Sequence, residues 1–126
     1  MDKYLIKSII PFYVSSHGFG HITRVLALVA EILKHSNHDI YIVSGLKQID
    51  FAQIYLKEYD HRLIYKIIQT DIGLVNKENS LAVDTDRLQN ELLKFVSSWK
   101  FIVNSERNFL STKNVKFIVS DISPIG

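Results

Sequence analysis

Short apolar runs alternate along the chain with stretches in which apolar residues return at every third or fourth position. The first run, residues 8–14, is rich in Ile, Phe, Tyr and Val and predicts a buried strand. Pro11 interrupts it. Proline has no N–H to give, so a central strand here must bulge or forgo a hydrogen bond. After Gly20, residues Ile22, Val25, Leu26, Val29, Ile32 and Leu33 keep the spacing of one helical face, which ends near Ser36 and Asn37. Residues 40–43 predict a second strand stopped by Ser44-Gly45, residues 49–59 a second helix burying Phe51, Ile54 and Tyr55, and residues 63–68 a third strand. Residues 69–83, with Gly73 and the polar run Asn76-Lys77-Glu78-Asn79-Ser80, keep no period and predict a long loop. Asp84 or Thr85 then caps a long helix with Leu88, Leu92, Phe95, Trp99 and Ile102 on its apolar face. Residues 116–120 predict a fourth strand that runs into Asp121-Ile122-Ser123-Pro124.

This alternation implies an α/β, Rossmann-like domain over residues 1–126, a parallel sheet with helices on both faces and right-handed crossovers. The common strand order 3-2-1-4 makes the first and fourth strands neighbours. The sequence stops six residues after the fourth strand, where a covering helix is the norm, so a domain cut from a larger protein is expected.

Composition narrows the partners. With 47% hydrophobic and 22% charged residues the chain is of globular type. Its net charge of +2 is spread without a basic stripe, which disfavours nucleic acid. No cysteine is present to serve as nucleophile, thiolate ligand or disulfide. The apolar residues near the N-terminus fail as a targeting signal, because Asp2, Lys7 and Pro11 break the required pattern. No stretch approaches the roughly 20 apolar residues of a membrane span. A cytoplasmic protein without a transmembrane segment is expected.

Ligands of open α/β sheets bind at the carboxyl ends of the strands, where strand order reverses. Two segments meet that description: Ser16-His17-Gly18-Phe19-Gly20-His21 after the first strand, and residues 120–123 after the fourth. Gly18 and Gly20 permit a tight turn, and the following helix start offers free N–H groups to a polar or anionic ligand. Neither a phosphate-loop lysine nor the third glycine of a dinucleotide fingerprint follows, since position 23 is Thr. His21 is suited to take a proton from a hydroxyl, with Asp121 fixing its tautomer. His17 and Arg24 are candidates for further ligand contacts, a solvated arginine being the alternative for Arg24, and Asp71 and Gly73 belong either to a loop able to reach over the crevice or to one that is simply flexible. In the competing reading the histidines only hydrogen-bond the loop and Asp121 caps a turn. His35, His38 and His61 have no clustered partners at metal-ligand spacing, so neither a metal nor a cofactor is expected.

The run from Phe12 to Arg24 closely resembles the opening of the glycosyltransferase-like domain at the N-terminus of plant-type L-arabinokinases and related bacterial proteins. Asp71-Ile72-Gly73, residues 84–88 and Val119-Ser120-Asp121-Ile122-Ser123-Pro124 resemble later segments of the same family. The turn ending in His21 is more distantly similar to those of the lipid I N-acetylglucosaminyltransferase and of small-molecule UDP-glycosyltransferases. The resemblance implies the N-terminal, acceptor-side half of a GT-B fold and inverting transfer of a sugar from a nucleotide-sugar donor to a hydroxyl acceptor. The donor is held mainly by a second domain absent from these residues. On the same ground His21 matches the family base and Asp121 the residue that orients it; Ser16, His17, Gly18, Phe19, Gly20 and Arg24 are expected, from the loop itself, to contact the substrate. The lipid I enzyme has glycine at the position of His17, so that part of the resemblance assigns His17 no role. A non-catalytic sugar- or nucleotide-binding module attached to a sugar kinase is the alternative function.

Overall fold

A computed structural model describes residues 7–73, 76–78 and 80–126. The N-terminal residues 1–6, weighed above as a targeting signal, and Asn79 of the polar run lie outside the described residues.

The elements follow in the order β1 (Ser8–Val14), α1 (Gly20–His35), β2 (Asp39–Ser44), α2 (Leu46–Tyr55), a 3-10 turn (Lys57–Arg62), β3 (Leu63–Ile67), α3 (Thr85–Ser111), β4 (Asn114–Val115) and β5 (Val119–Asp121). The five-stranded sheet has the order β3-β2-β1-β4, with β5 also pairing β1, and every strand pair is parallel. The expected α/β, Rossmann-like architecture is therefore present.

The sheet is covered on both faces. Ile10, Phe12 and Val14 of β1 and Ile40 and Ile42 of β2 form one core with Ile22, Val25, Leu26, Val29 and Leu33 of α1 and Ile49, Ala52 and Leu56 beside them. The alternate residues Ile9, Tyr13, Tyr41 and Val43 meet Phe95 of α3 on the opposite face, with Trp99 and Ile102 packed against them. Strand alternation thus sorts one sequence into two cores. Each fully buried aliphatic or aromatic side chain contributes about 1.5–3 kcal/mol. The α3 core also holds a carboxylate: Glu106 is buried and accepts hydrogen bonds from Tyr13 Oη (3.2 Å) and Tyr41 Oη (2.7 Å). Burial first, and the Glu106 charge and hydrogen bonds with it, push both tyrosine hydroxyls well above their ordinary range, which keeps them protonated as donors.

Asp84 caps α3 as expected, its side chain accepting from the Arg87 N–H at 3.1 Å. Three sequence expectations need correction. First, α2 begins at Leu46, directly after Gly45, and breaks into the 3-10 turn after Tyr55, rather than running through residues 49–59. Second, it buries Gln48, Ile49 and Ala52, leaving Phe51, Ile54 and Tyr55 exposed. The earlier start rotates the inward face by one position, and the small Ala52 side chain suits close packing on the sheet. Leu92 of α3 is likewise exposed. Third, the single fourth strand is two short pieces, β4 and β5.

The cause of that split lies in Pro11. Ile9 accepts from the Lys116 N–H and the Ser15 N–H reaches Asp121, so odd-numbered residues of β1 direct their backbone polar groups toward β4 and β5. Proline's missing donor falls on that side. There, Ile10 and Pro11 stand opposite Lys116, Phe117 and Ile118, three residues against two, which is a bulge.

Candidate functional site

Three loops meet at the carboxyl end of the sheet: residues 15–19 after β1, residues 68–73 after β3 and residues 122–125 after β5. Val14 O accepts from the hydroxyls of Ser44 and Thr70, and Ser123 Oγ donates to Thr70 O at 3.0 Å. Ser15 N–H donates to Asp121 O at 3.0 Å. These bonds place segments far apart in sequence against one another.

Gly18 takes φ +62, the left-handed conformation that favours glycine, and reverses the chain ahead of α1. Before it, Asp71 grips the turn: its carboxylate accepts from Ser15 Oγ (2.6 Å), Ser16 N–H (2.8 Å) and Ser16 Oγ (3.0 Å). The His17 Nε2–H donates to Asp71 O at 3.0 Å, and the His17 ring lies so close to Gly73 that a Cβ there would stand 2.7 Å from the imidazole. Gly73 itself has φ +61. The backbone carbonyl can only accept, so Nε2 carries a proton in this contact.

After Gly18 the arrangement changes. Gly20 and His21 open α1, whose first N–H groups have no intrahelical partners. His21 Nδ1 lies 3.4 Å from Asp121 Oδ1, an ion-pair distance longer than a normal N–H···O bond. Arg24, on the next turn of α1, stands between them: its Nη2 is 2.9 Å from each Asp121 oxygen and 3.2 Å from His21 Nδ1. The Arg24 side chain is 67% exposed, whereas that of Asp121 is 15% exposed, so the pair can open toward solvent from the arginine side. Next to Asp121, Ile122 holds φ +59, a conformation that costs a β-branched residue about 1–3 kcal/mol.

A cleft of about 470 Å³ is lined by Ser16, His17, Gly18, Phe19, Gly45, Leu46, Lys47 and Gln48. Gln48 Nε2 donates to Gly18 O at 2.8 Å and so ties the start of α2 to the glycine turn. The expected residues therefore separate into two groups. Ser16, His17, Gly18 and Phe19 line the cleft, while His21, Arg24 and Asp121 form a polar cluster whose members do not line it. Among the described residues, no group of His, Asp and Glu has the arrangement to hold a metal ion, and no helix is long and apolar enough to cross a membrane.

The chain is similar to L-arabinokinase. The relative is that of Arabidopsis thaliana, 30% identical over 129 aligned positions that take in 99% of this chain and 11% of the kinase. The chain thus spans about a tenth of that protein's length. No protein-family model and no solved structure matches it.

The L-arabinokinase likeness extends over both arms of the turn and over Asp71 and Asp121, since it takes in nearly the whole chain. Two features of the cluster escape a reading of the sequence. The sequence places Asp71 only in a loop able to reach over the crevice; its grip on Ser15 and Ser16 is a tertiary fact. The exposed aromatic row Phe19, Phe51 and Tyr55, with ring centroids 5.8 and 6.2 Å apart in succession, arises because α2 turns those side chains outward.

Proposed function

We propose that this chain is the acceptor-side, Rossmann-like domain of an inverting glycosyltransferase of GT-B type. The full-length protein holds a nucleotide-sugar donor mainly through its second domain. His21 Nε2 takes the proton of an acceptor hydroxyl as that oxygen bonds to the anomeric carbon and the bond to the nucleotide diphosphate breaks. Asp121 steadies the imidazolium so formed. The observation that carries this reading is the approach of His21 and Asp121 to 3.4 Å at the carboxyl ends of two neighbouring strands, from positions far apart in sequence. Ser16, His17, Gly18 and Phe19 line the adjoining cleft and contact the acceptor, and Gly20, where an added Cβ would meet no other atom, opens α1 next to them. Turnover of nucleotide sugar by full-length protein carrying His21→Ala tests the assignment. A loss of roughly 10²–10⁴-fold is expected for a missing general base, with donor affinity nearly intact. Unchanged turnover in a folded variant removes it.

Two observations favour a second reading, a non-catalytic sugar- or nucleotide-binding module of a sugar kinase. Arg24 already occupies both oxygens of Asp121, and the similar protein is by name a kinase. In that case the full-length protein binds nucleotide sugar or free sugar but transfers nothing, and His21→Ala alters only affinity.

A further inference from the structure

The three-way contact of His21, Arg24 and Asp121 leaves a proton to be assigned. An arginine is always a donor, so Arg24 Nη2 at 3.2 Å from His21 Nδ1 requires a lone pair on that nitrogen. A neutral His21 then carries its proton on Nε2. Catalysis by His21 needs the reverse, with Nδ1–H donating to Asp121 and the lone pair on Nε2. Arg24 competes with His21 for the carboxylate and stands nearer, at 2.9 Å to both oxygens against 3.4 Å. Yet Arg24 is the exposed member of the cluster and is free to leave. Both contacts to Asp121 come from one nitrogen, Nη2, whereas a phosphate can engage the guanidinium through two N–H groups at once.

We infer that Arg24 is a positioning residue that sets the tautomer of His21. In the free chain it holds the proton on Nε2. A phosphate or diphosphate group of a bound ligand draws Arg24 from Asp121, His21 Nδ1–H turns to the vacated carboxylate, and Nε2 becomes able to accept a proton. The site is in this way inactive until an anionic ligand is seated. The catalytic meaning of the switch rests on the glycosyltransferase reading, but the tautomer itself does not, and it is measurable without turnover.

Long-range proton–nitrogen NMR of the whole chain labelled with 15N-histidine, at about pH 8.5 and so well above the ordinary imidazole pKa, reads each ring's tautomer directly. Wild-type His21 is expected with its proton predominantly on Nε2, and Arg24→Gln with its proton predominantly on Nδ1. Inorganic pyrophosphate added to the wild type is expected to produce the same inversion, and it does so independently of how the variant folds. His17, tied to a backbone carbonyl, serves as the internal reference and keeps Nε2–H throughout. A wild-type His21 already protonated on Nδ1, or one tautomer common to wild type and a folded Arg24→Gln, overturns the inference. A wild-type tautomer unmoved by excess pyrophosphate overturns its ligand half. Failure here leaves the transfer assay of the full-length protein untouched, and absence of transfer leaves the tautomer result standing.

Discussion

The two arms of the glycine turn carry one histidine each and are held in opposite ways. Residues 15–17 are clasped from outside by Asp71, whose carboxylate is largely buried and whose carbonyl takes the His17 ring. Residues 20–24 are the first turns of α1, and their side chains His21 and Arg24, the latter mostly exposed, meet on the Asp121 carboxylate. A histidine whose nitrogen is spent on a backbone carbonyl braces a loop; one whose nitrogen is contested between an arginine and a carboxylate can change state. Identical residue types four positions apart thus take different roles because one arm is fastened by tertiary bonds and the other by a helix end.

The largest expected contrast is kinetic. In the full-length protein His21→Ala lowers turnover by roughly 10²–10⁴-fold, while His17→Ala, which removes one neutral hydrogen bond, changes it by less than about tenfold. Steady-state kinetics on both variants decides, and equal losses would erase the distinction between the arms.

Stability reverses the order of importance. Asp71→Ala leaves Ser15 and Ser16 without their charged acceptor and is expected to lower unfolding free energy by about 3 kcal/mol. Asp121→Ala, whose partner Arg24 is mostly in water, should change it by less than about 1 kcal/mol. Denaturant titration of the two variants side by side measures the difference; comparable losses would show the second arm to be as firmly fastened as the first.

Gly73→Ala probes the clasp more finely. It forces a side chain into a left-handed conformation and against the His17 ring, at about 1–3 kcal/mol. Adding His17→Ala should recover part of that loss, the non-additivity expected of residues in contact. Strictly additive effects would mean that the ring and the glycine do not meet in solution.

Much of this was legible in the sequence, for definite reasons. The bounds of β1 and the inward face of α1 follow from runs and spacings that tertiary contacts only reinforce. The parallel sheet follows from the alternation, and the commonest order for such sheets is the one found, which brings the glycine turn to Asp121. The face of α2 was not legible, because Phe51, Ile54 and Tyr55 are apolar and aromatic side chains left in the open, and hydrophobicity alone marks them as core. The partner of Arg24 was also hidden. Its position on the His21 face is a matter of helical period, but its choice of Asp121 depends on the register of a strand nearly a hundred residues away.

That register has a further consequence. Matched residues of parallel strands point to the same face, and a slip of one position sends every side chain to the other. Val14 is matched with Asp121, on the face where α1 lies. Had the pairing of Ser8 with Asn114 and Ile9 with Val115 continued in step, Val14 would have met Ser120, and the carboxylate would have been aimed at the side of α3. The extra residue opposite Pro11 reverses that parity. A proline in mid-strand, unhelpful to the sheet by its own chemistry, therefore acts as the sighting device of the cluster: it determines that the aspartate and the histidine share a hemisphere at all.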